Sequence, residues 1–276
     1  MNLARSAGAL VMDFYRAGVA TEEKIGADNY VEPVTIADRA ASELIVEGLE
    51  KAFPADGILS EEAADTKERL SKKRVWMIDP IDGTLGFINH QDDFAVQIGL
   101  AENGKPILGV VFQPVGNVLY FAIKNGGAFR VEASGEILRL RVSEKTDLSE
   151  MNLALSYNHR SPRMKLVKEA LGIKRETQRG SVGIKVGLLA TRECDLYIHL
   201  SNRTKYWDTC APQIILEEAG GRFTDIFGAE YRYDESDVQN HNGLVASNGV
   251  CHEAVIARLK PLLTDFGRLR VLKKSS

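Results

Sequence analysis

The chain is predicted to fold as an α+β region followed by an α/β region. Three β-rich segments, residues 94–101, 106–113 and 118–123, are separated only by short Gly-containing turns, which is typical of an antiparallel meander. After about residue 145, segments of helical and strand character alternate instead. The 276 residues are long enough for two subdomains, which we place at residues 1–145 and 146–276.

Two helices are expected at the start of the chain. Apolar residues recur at helical spacing from Leu3 to Phe14, and again from Ala37 to Leu49 ahead of Pro54. In the second region we expect four helices and two strands. The helices are predicted near residues 162–171, 181–191, 208–219 and 249–260, and the strands near 195–200 and 243–247. The basic tail, residues 268–274, is expected to be solvated or frayed.

Composition argues against several classes of protein. A formal net charge of −3 gives no sign of a surface for a nucleic-acid polymer. No run of residues approaches the length of about 18 apolar residues that a membrane helix needs, and the N-terminus lacks a signal-peptide pattern. The three cysteines have no C-x-x-C spacing and are expected to be reduced thiols. We therefore expect a soluble cytoplasmic protein without a membrane partner, and its oligomeric state stays open.

The most informative segment is Asp-Pro-Ile-Asp-Gly-Thr, residues 79–84, which ends an apolar run. Pro80 fixes φ and removes an N–H group, so we expect the chain to turn and both carboxylates, with the carbonyl of Ile81, to face one point. Hard oxygen atoms arranged in this way suit Mg²⁺. On its own, however, the segment is equally compatible with a plain type I turn.

Four other acidic residues have similarly open interpretations. Glu61 and Glu62 close another short apolar run, as the side chains of an ordinary solvated loop also do. Asp208 begins an apolar helical stretch and is a candidate N-cap residue. Asp38 follows Thr35 at the spacing of a capping box.

Taken together, these segments resemble the lithium-sensitive, magnesium-dependent phosphatase superfamily. Its members include inositol monophosphatase, fructose-1,6-bisphosphatase and the 3′(2′),5′-bisphosphate nucleotidases. The matching segments are PVTIAD (33–38), LSEE (59–62), DPIDGT (79–84), GSVGIK (180–185) and WDTCAP (207–212). They fall in the family's order along nearly the whole chain. The resemblance implies the layered αβαβα sandwich of the family.

The resemblance also implies a metal centre and a way to activate water. It implies that two or three Mg²⁺ ions are held by five residues. These are Glu61, Asp79, Ile81 through its carbonyl, Asp82 and Asp208. Asp38 and Thr84 are implied to act on the attacking water, and Glu62 to stand close to the site as a third catalytic residue. The first subdomain would thus carry most metal ligands, and the second would complete the active site. Independently, carboxylates gathered at one site repel each other unless cations neutralise them.

The resemblance implies that the substrate is a small phosphate ester, and three segments bear on which one. Ser201 stands where inositol monophosphatases typically carry a Glu that holds substrate hydroxyls. The segments KYWDTCAP (205–212) and PVTIAD look more like bisphosphate nucleotidases, and residues 155–159 keep Ser156 and His159 of their Ser-Arg-Ser-His segment. We therefore expect a 3′(2′),5′-bisphosphate nucleotidase that converts adenosine 3′,5′-bisphosphate to AMP. The alternatives are an inositol or sugar phosphatase, and a non-catalytic metal- or nucleotide-binding regulator.

A substrate with two phosphates needs cations and N–H donors beyond the metal ions. Gly83 and Thr84, at an expected helix start, are suited to a phosphate, and so is the start of the helix at Gly180 and Ser181, although a simple cap is equally compatible there. The full set of expected contacts is Gly83, Thr84, His159, Gly180, Ser181, Lys185 and Ser201, with Arg203 and Lys205 as further local cations.

Overall fold

The structure is a computed structural model, and it describes residues 1–25, 31–157 and 161–273. The helices are α1 (Asn2–Ala17), α2 (Ile36–Ala52), α3 (Thr84–Ile88), α4 (Pro162–Leu171), α5 (Val182–Ala190), α6 (Tyr206–Glu218) and α7 (His252–Asp265). The strands are β1 (Thr21–Ile25), β2 (Val31–Thr35), β3 (Gly57–Ser60), β4 (Arg74–Asp82), β5 (Ala95–Glu102), β6 (Lys105–Gln113), β7 (Val118–Ile123), β8 (Gly127–Val131), β9 (Ile137–Arg139), β10 (Asn152–Leu155), β11 (Arg175–Gln178), β12 (Leu196–His199), β13 (Arg222–Thr224) and β14 (Leu244–Ser247). Short 3-10 helices cover Glu68–Ser71 and Leu148–Glu150.

Two large sheets organise these elements. The seven-stranded sheet has the order β3-β4-β5-β6-β7-β8-β9, and all its pairs except β3–β4 are antiparallel. The expected meander is therefore confirmed. The five-stranded sheet has the order β11-β10-β12-β14-β13, in which β10 runs parallel to β11 and β12 while β14 runs antiparallel to its neighbours. Strands β1 and β2 form a separate antiparallel pair.

Helices cover the sheets in three layers. Helices α1 and α2 pack on one face of the larger sheet, α5 and α6 lie between the sheets, and α4 packs with α7 on the far side of the smaller sheet. Alternation along β6 sorts its side chains between layers, since Val110 faces the α1/α2 core and Val111 faces the α5/α6 core. The layered αβαβα sandwich is thus confirmed.

The sequence located most elements to within a few residues. Helix α7 extends to Asp265, past Pro261, whereas we expected it to end near residue 260. Strand β11 was missed because its residues, Arg-Glu-Thr-Gln, form an exposed and polar edge strand without apolar alternation. The larger sheet ends at residue 139 and the smaller begins at residue 152, but α6 packs against both, so the division into subdomains at residue 145 stays a prediction.

Two expectations about the chain as a whole bear on the site. Within the described ranges, no helix is both long enough and apolar enough to cross a membrane. Cys194, Cys210 and Cys251 are buried and unbridged, as reduced thiols would be.

Candidate active site

A bulge at the end of β4 brings two aspartates to one point. Asp79 pairs with Gln97 and Asp82 pairs with Ala95, so three residue steps on β4 face two steps on β5. Residues at i and i+3 of a regular strand point to opposite faces, and the extra residue cancels that alternation. Pro80 is tolerated there because a bulge leaves an N–H unpaired. The expected turn is thus a bulged strand end, with the same consequence for the carboxylates.

A third carboxylate comes from the start of α6. Asp79, Asp82 and Asp208 each offer a carboxylate oxygen, and these oxygens lie within 4.8 Å of one another. Asp208 Oδ2 accepts a hydrogen bond of 2.5 Å from the backbone N–H of Lys205. The expectation that Asp208 is itself the N-cap is corrected, because Lys205 is the N-cap and Asp208 is the third residue of α6. The bond from the Lys205 N–H fixes the Asp208 carboxylate in place, which is compatible with a metal ligand.

Electrostatics at this cluster favour a bound cation. Burial raises the pKa of Asp79 well above its ordinary value, and the charges of Glu61, Asp82 and Asp208 raise it further. Burial and the charges of Glu61 and Asp82 also raise the pKa of Asp208, although the hydrogen bond from Lys205 and its charge oppose the shift. A set of crowded carboxylate oxygens is the donor set that Mg²⁺ prefers, so these residues fit a divalent cation.

Helix α5 begins directly behind Asp82. The Ser181 hydroxyl and the Gly183 N–H, the latter at 2.8 Å, both donate to Asp82 Oδ2. Ser181 Oγ also accepts from the Ile184 N–H at 3.0 Å, so it caps the helix. The Gly180 N–H donates to Asp93 Oδ2. The donors that we expected to bind substrate are therefore directed at protein carboxylates.

Lys185 does not reach the cleft. Its side chain is fully buried, and its ammonium donates to the carbonyls of Gly180 (2.7 Å) and Arg179 (3.2 Å) and to the Ser156 hydroxyl (3.1 Å). Burial lowers the pKa of Lys185 to about 8, although the charge of Asp82 opposes this shift. The expectation of a direct anion contact is corrected, because Lys185 instead supplies a positive charge from beneath the carboxylates.

Asp38 and Thr84 have separate partners. Asp38 Oδ2 accepts hydrogen bonds of 2.7 Å from both the N–H and the hydroxyl of Thr35, which completes the capping box of α2. The Thr84 hydroxyl donates to the Ile81 carbonyl at 3.1 Å. The hydrogen bond expected between Asp38 and Thr84 is not formed among the residues the structure describes. Burial raises the pKa of Asp38 to about 6, with a contribution from the charge of Glu62.

Glu61 and Gly83 border the cluster. Glu61 lines the same cleft, although its carboxylate is outside the group of three, and Glu62 lies beside Asp38 and does not line the cleft. Gly83, just before Thr84, has φ +96°, and a Cβ there would lie 2.8 Å from the carbonyl oxygen of Asp93. Only glycine can therefore make this turn into α3.

The cleft above the cluster has a volume of about 740 Å³. Ser201 lines it as expected, and its hydroxyl lies 2.6 Å from Nε2 of His199. Sequence reasoning missed His199 as a site residue, although it lies within the strand predicted near residues 195–200. Three arginines also line the cleft. They are Arg163, Arg203 and Arg268. His159 lies outside the described residues.

Comparison with known proteins places this site in a family. The family model described as the inositol monophosphatase family matches residues 1–263. The chain belongs to the inositol monophosphatase family. Proteins of this family are metal-dependent phosphatases, and the chain is therefore such an enzyme, as the motifs predicted.

Individual relatives of the family agree with this assignment. The chain is 35% identical over 232 residues to the 3′(2′),5′-bisphosphate nucleotidase CysQ of Escherichia coli O157:H7, covering 84% of this chain and 91% of that protein. It is 29% identical over 251 residues to the inositol-1-monophosphatase of Bacillus subtilis, covering 91% of each. The solved structure of a Thermotoga maritima IMPase is similar with a TM-score of 0.79 at 30% identity, covering 96% of this chain and 97% of that one.

Replacing Asp79 with Asn should separate charge repulsion from metal binding. Without metal, Asp79→Asn should raise the free energy of unfolding by on the order of 1 kcal/mol, because one of three crowded charges is removed. Saturating MgCl₂ should raise the free energy of unfolding of this variant much less than that of the wild-type chain. For the wild type, the increase is roughly 2.7 kcal/mol at a metal concentration of 100 times Kd. Denaturant unfolding in EDTA and in MgCl₂ measures both quantities.

Asp13→Asn is the matched control, since Asp13 is exposed and far from the cluster in sequence. It should leave the response to MgCl₂ unchanged. A loss of stability in EDTA combined with a full response to MgCl₂ for Asp79→Asn would remove Asp79 from the metal site.

Proposed function

We propose that the protein is a Mg²⁺-dependent 3′(2′),5′-bisphosphate nucleotidase that releases the 3′-phosphate of adenosine 3′,5′-bisphosphate to give AMP. The observation that carries this proposal is the pairing of opposite charges in one cleft. Asp79, Asp82 and Asp208 can hold cations for the reacting phosphate, and three arginines line the same cleft. A substrate with a single phosphate would offer no second anion to Arg163 and Arg268.

Two further observations support a nucleotide substrate. Ser201, in place of a Glu, lines the cleft beside His199, so the carboxylate that would hold inositol hydroxyls is missing at that position. The identity to CysQ nucleotidases, at 35%, is somewhat higher than the 29% to an inositol-1-monophosphatase. The second relative nevertheless matches more of the chain, and a direct comparison of substrates is therefore needed.

Five ligands are proposed for two or three Mg²⁺ ions. They are Glu61, Asp79, the Ile81 carbonyl, Asp82 and Asp208. The chemistry that bound divalent cations supply is neutralisation of charge on the phosphoryl oxygens and a lower pKa for the attacking water. The protein contributes rigidity, because Asp82 is held by Ser181 and Gly183 and Asp208 by the backbone of Lys205.

Thr84 and Asp38 are proposed to handle the water and its proton. The Thr84 hydroxyl lines the cleft and is oriented by its bond to the Ile81 carbonyl, which leaves its lone pairs for a hydrogen bond from water. Helix α3, which begins at Thr84, packs against β2, the strand that ends at Thr35. We propose that the Thr84 hydroxyl turns from the Ile81 carbonyl to Asp38, which gives up its bond from the Thr35 hydroxyl. Thr84 then passes its proton to Asp38 as it takes a proton from the attacking water, so the water is deprotonated and Asp38 becomes protonated. Its pKa of about 6 suits a base near neutral pH.

Asp38→Asn tests this role against a purely structural one. An Asn oxygen can accept both bonds from Thr35, so the helix cap is kept and stability should change by at most about 1 kcal/mol. The rate should fall by on the order of 10² to 10⁴, because the proton acceptor is lost, while the Mg²⁺ dependence stays the same. Steady-state phosphate release across MgCl₂ concentrations measures both effects.

Thr35→Val is the control for the cap. It removes the capping hydroxyl and should cost about 1 kcal/mol of stability without a comparable loss of rate. Near-wild-type turnover of Asp38→Asn would show that the carboxylate serves only as a cap.

Substrate choice is tested by comparing three phosphate esters under one set of conditions. We expect kcat/KM for adenosine 3′,5′-bisphosphate to exceed that for inositol 1-phosphate at least about tenfold, which is roughly 1.4 kcal/mol of transition-state binding. Contacts to the adenine and the 5′-phosphate supply this energy away from the reacting group. Fructose 1,6-bisphosphate is the third substrate. A preference for inositol 1-phosphate would support the inositol or sugar phosphatase instead, and the absence of any Mg²⁺-dependent phosphate release would support a non-catalytic regulator.

A further inference from the structure

The described part of the C-terminal tail, residues 268–273, is held to the enzyme by hydrogen bonds. The side chains of its two leucines are exposed, as expected of a solvated segment, but the backbone does not fray. The backbone of Val271 is held by both ends of one amide side chain. Its N–H donates to Oδ1 of Asn242 at 2.8 Å, and its carbonyl accepts from Nδ2 of Asn242 at 2.9 Å. Arg270 forms an ion pair of 3.4 Å with Asp225.

Lys273, at the far end of the described tail, contacts the start of α6. Its ammonium donates to the Asp237 carbonyl at 2.7 Å and to the Tyr206 hydroxyl at 3.1 Å, and it lies 4.4 Å from the centre of the Tyr206 ring. Tyr206 is the first residue of α6, two positions before Asp208. The tail is therefore anchored to the same helix start that positions a proposed metal ligand.

The docked tail places a guanidinium at the cleft. Arg268 is half-buried, lines the cleft, and donates to the His241 carbonyl at 3.3 Å. Arg163 lines the same cleft and packs over the ring of Phe266, at 5.5 Å from its centre, two residues before Arg268. The Arg268 N–H also donates to the Leu263 carbonyl of α7 at 2.8 Å, so the end of α7 and the first residue of the tail together hold the two arginines at the cleft.

These two arginines have no carboxylate partner in the part of the chain that the structure describes. Burial lowers the pKa of Arg268, and the charge of Arg163 lowers it further, so the two guanidinium groups repel each other. Uncompensated repulsion between cations at a cleft is relieved by an anion. A guanidinium binds phosphate oxygens with two parallel hydrogen bonds, which a lysine cannot do.

We propose that the docked C-terminal tail is a specificity element that positions Arg268, together with Arg163, to bind the second phosphate of a bisphosphate substrate. This inference rests on the proposed function, in which that group is the 5′-phosphate of the nucleotide. Arg268 contacts the substrate, and Asn242 positions Arg268 through the tail. The metal centre would act on the other phosphate, so the tail governs choice of substrate and not the chemical step.

The test compares substrates that differ only in the second phosphate. The measured quantity is the ratio of kcat/KM for adenosine 3′,5′-bisphosphate to that for adenosine 3′-phosphate. In Arg268→Gln this ratio should fall on the order of 10- to 100-fold, since one charged hydrogen-bonding group is lost. The ratio should fall because kcat/KM for the bisphosphate falls, while kcat/KM for adenosine 3′-phosphate stays within about twofold of the wild-type value.

Two further variants separate position from charge. Asn242→Ala keeps Arg268 but removes the two hydrogen bonds that hold the Val271 backbone. It should lower the same ratio by raising KM for the bisphosphate. Arg258→Gln is the matched control for net charge, because Arg258 is exposed on α7 and bonds only to the Ala170 carbonyl in the described structure. It should leave both substrates unchanged.

The outcomes distinguish this inference from the nucleotidase proposal. Wild-type preference for inositol 1-phosphate counts against the nucleotidase alone, and the same ratio is then measured with fructose 1,6-bisphosphate and fructose 1-phosphate. A ratio that is unchanged in Arg268→Gln, or equal losses on both substrates of a pair, overturns the role of the tail. Either result leaves the phosphatase assignment intact.

Discussion

Mutual repulsion of three aspartates is the constraint on which the rest of the site depends. Their carboxylate oxygens lie within 4.8 Å of one another, an arrangement that cations stabilise. Burial raises the pKa of all three, and like charge raises the pKa of Asp79 and Asp208 further. Each carboxylate accepts a hydrogen bond from a backbone N–H, Asp79 from Ile81, Asp82 from Gly183 and Asp208 from Lys205. The bulge of β4 presents Asp79 and Asp82, the start of α5 donates to Asp82, and the start of α6 fixes Asp208. The layered fold is what brings these elements together.

Helix capping and function coincide at two of the acidic residues. Asp38 completes a capping box with Thr35, Asp208 accepts a bond from the backbone N–H of the N-cap residue Lys205, and each is also a proposed functional group. The capping bond costs the carboxylate only part of its hydrogen-bonding capacity, since an ionised carboxylate has about four acceptor sites. Such a bond fixes the direction of the side chain while leaving oxygen lone pairs for a ligand. A sequence pattern that predicts a cap therefore does not argue against a functional role.

Local patterns predicted the meander, which follows from short turns between β-rich segments, and the change to alternating strands and helices after it. The layered sandwich and the acidic cluster were implied by the family resemblance, because each acidic residue alone was also compatible with a turn, a loop or a helix cap. Contacts that depend on packing between distant segments were harder to predict. Ser181 and Lys185 were expected at the substrate, yet α5 is buried between the sheets and directs both to protein groups. Arg268 was missed as a cleft residue because only the folded chain brings it to the His241 carbonyl and to the cleft.

The most direct test of the account is to locate the metal ions. Mn²⁺ takes the same oxygen ligands as Mg²⁺ and gives a strong anomalous signal in diffraction. In crystals grown with MnCl₂ near neutral pH, we expect anomalous peaks within coordination distance of Asp79, Asp82 and Asp208. Crystals of an enzyme that is active with Mn²⁺ but shows no peak at these carboxylates, or shows peaks only elsewhere, would contradict the account.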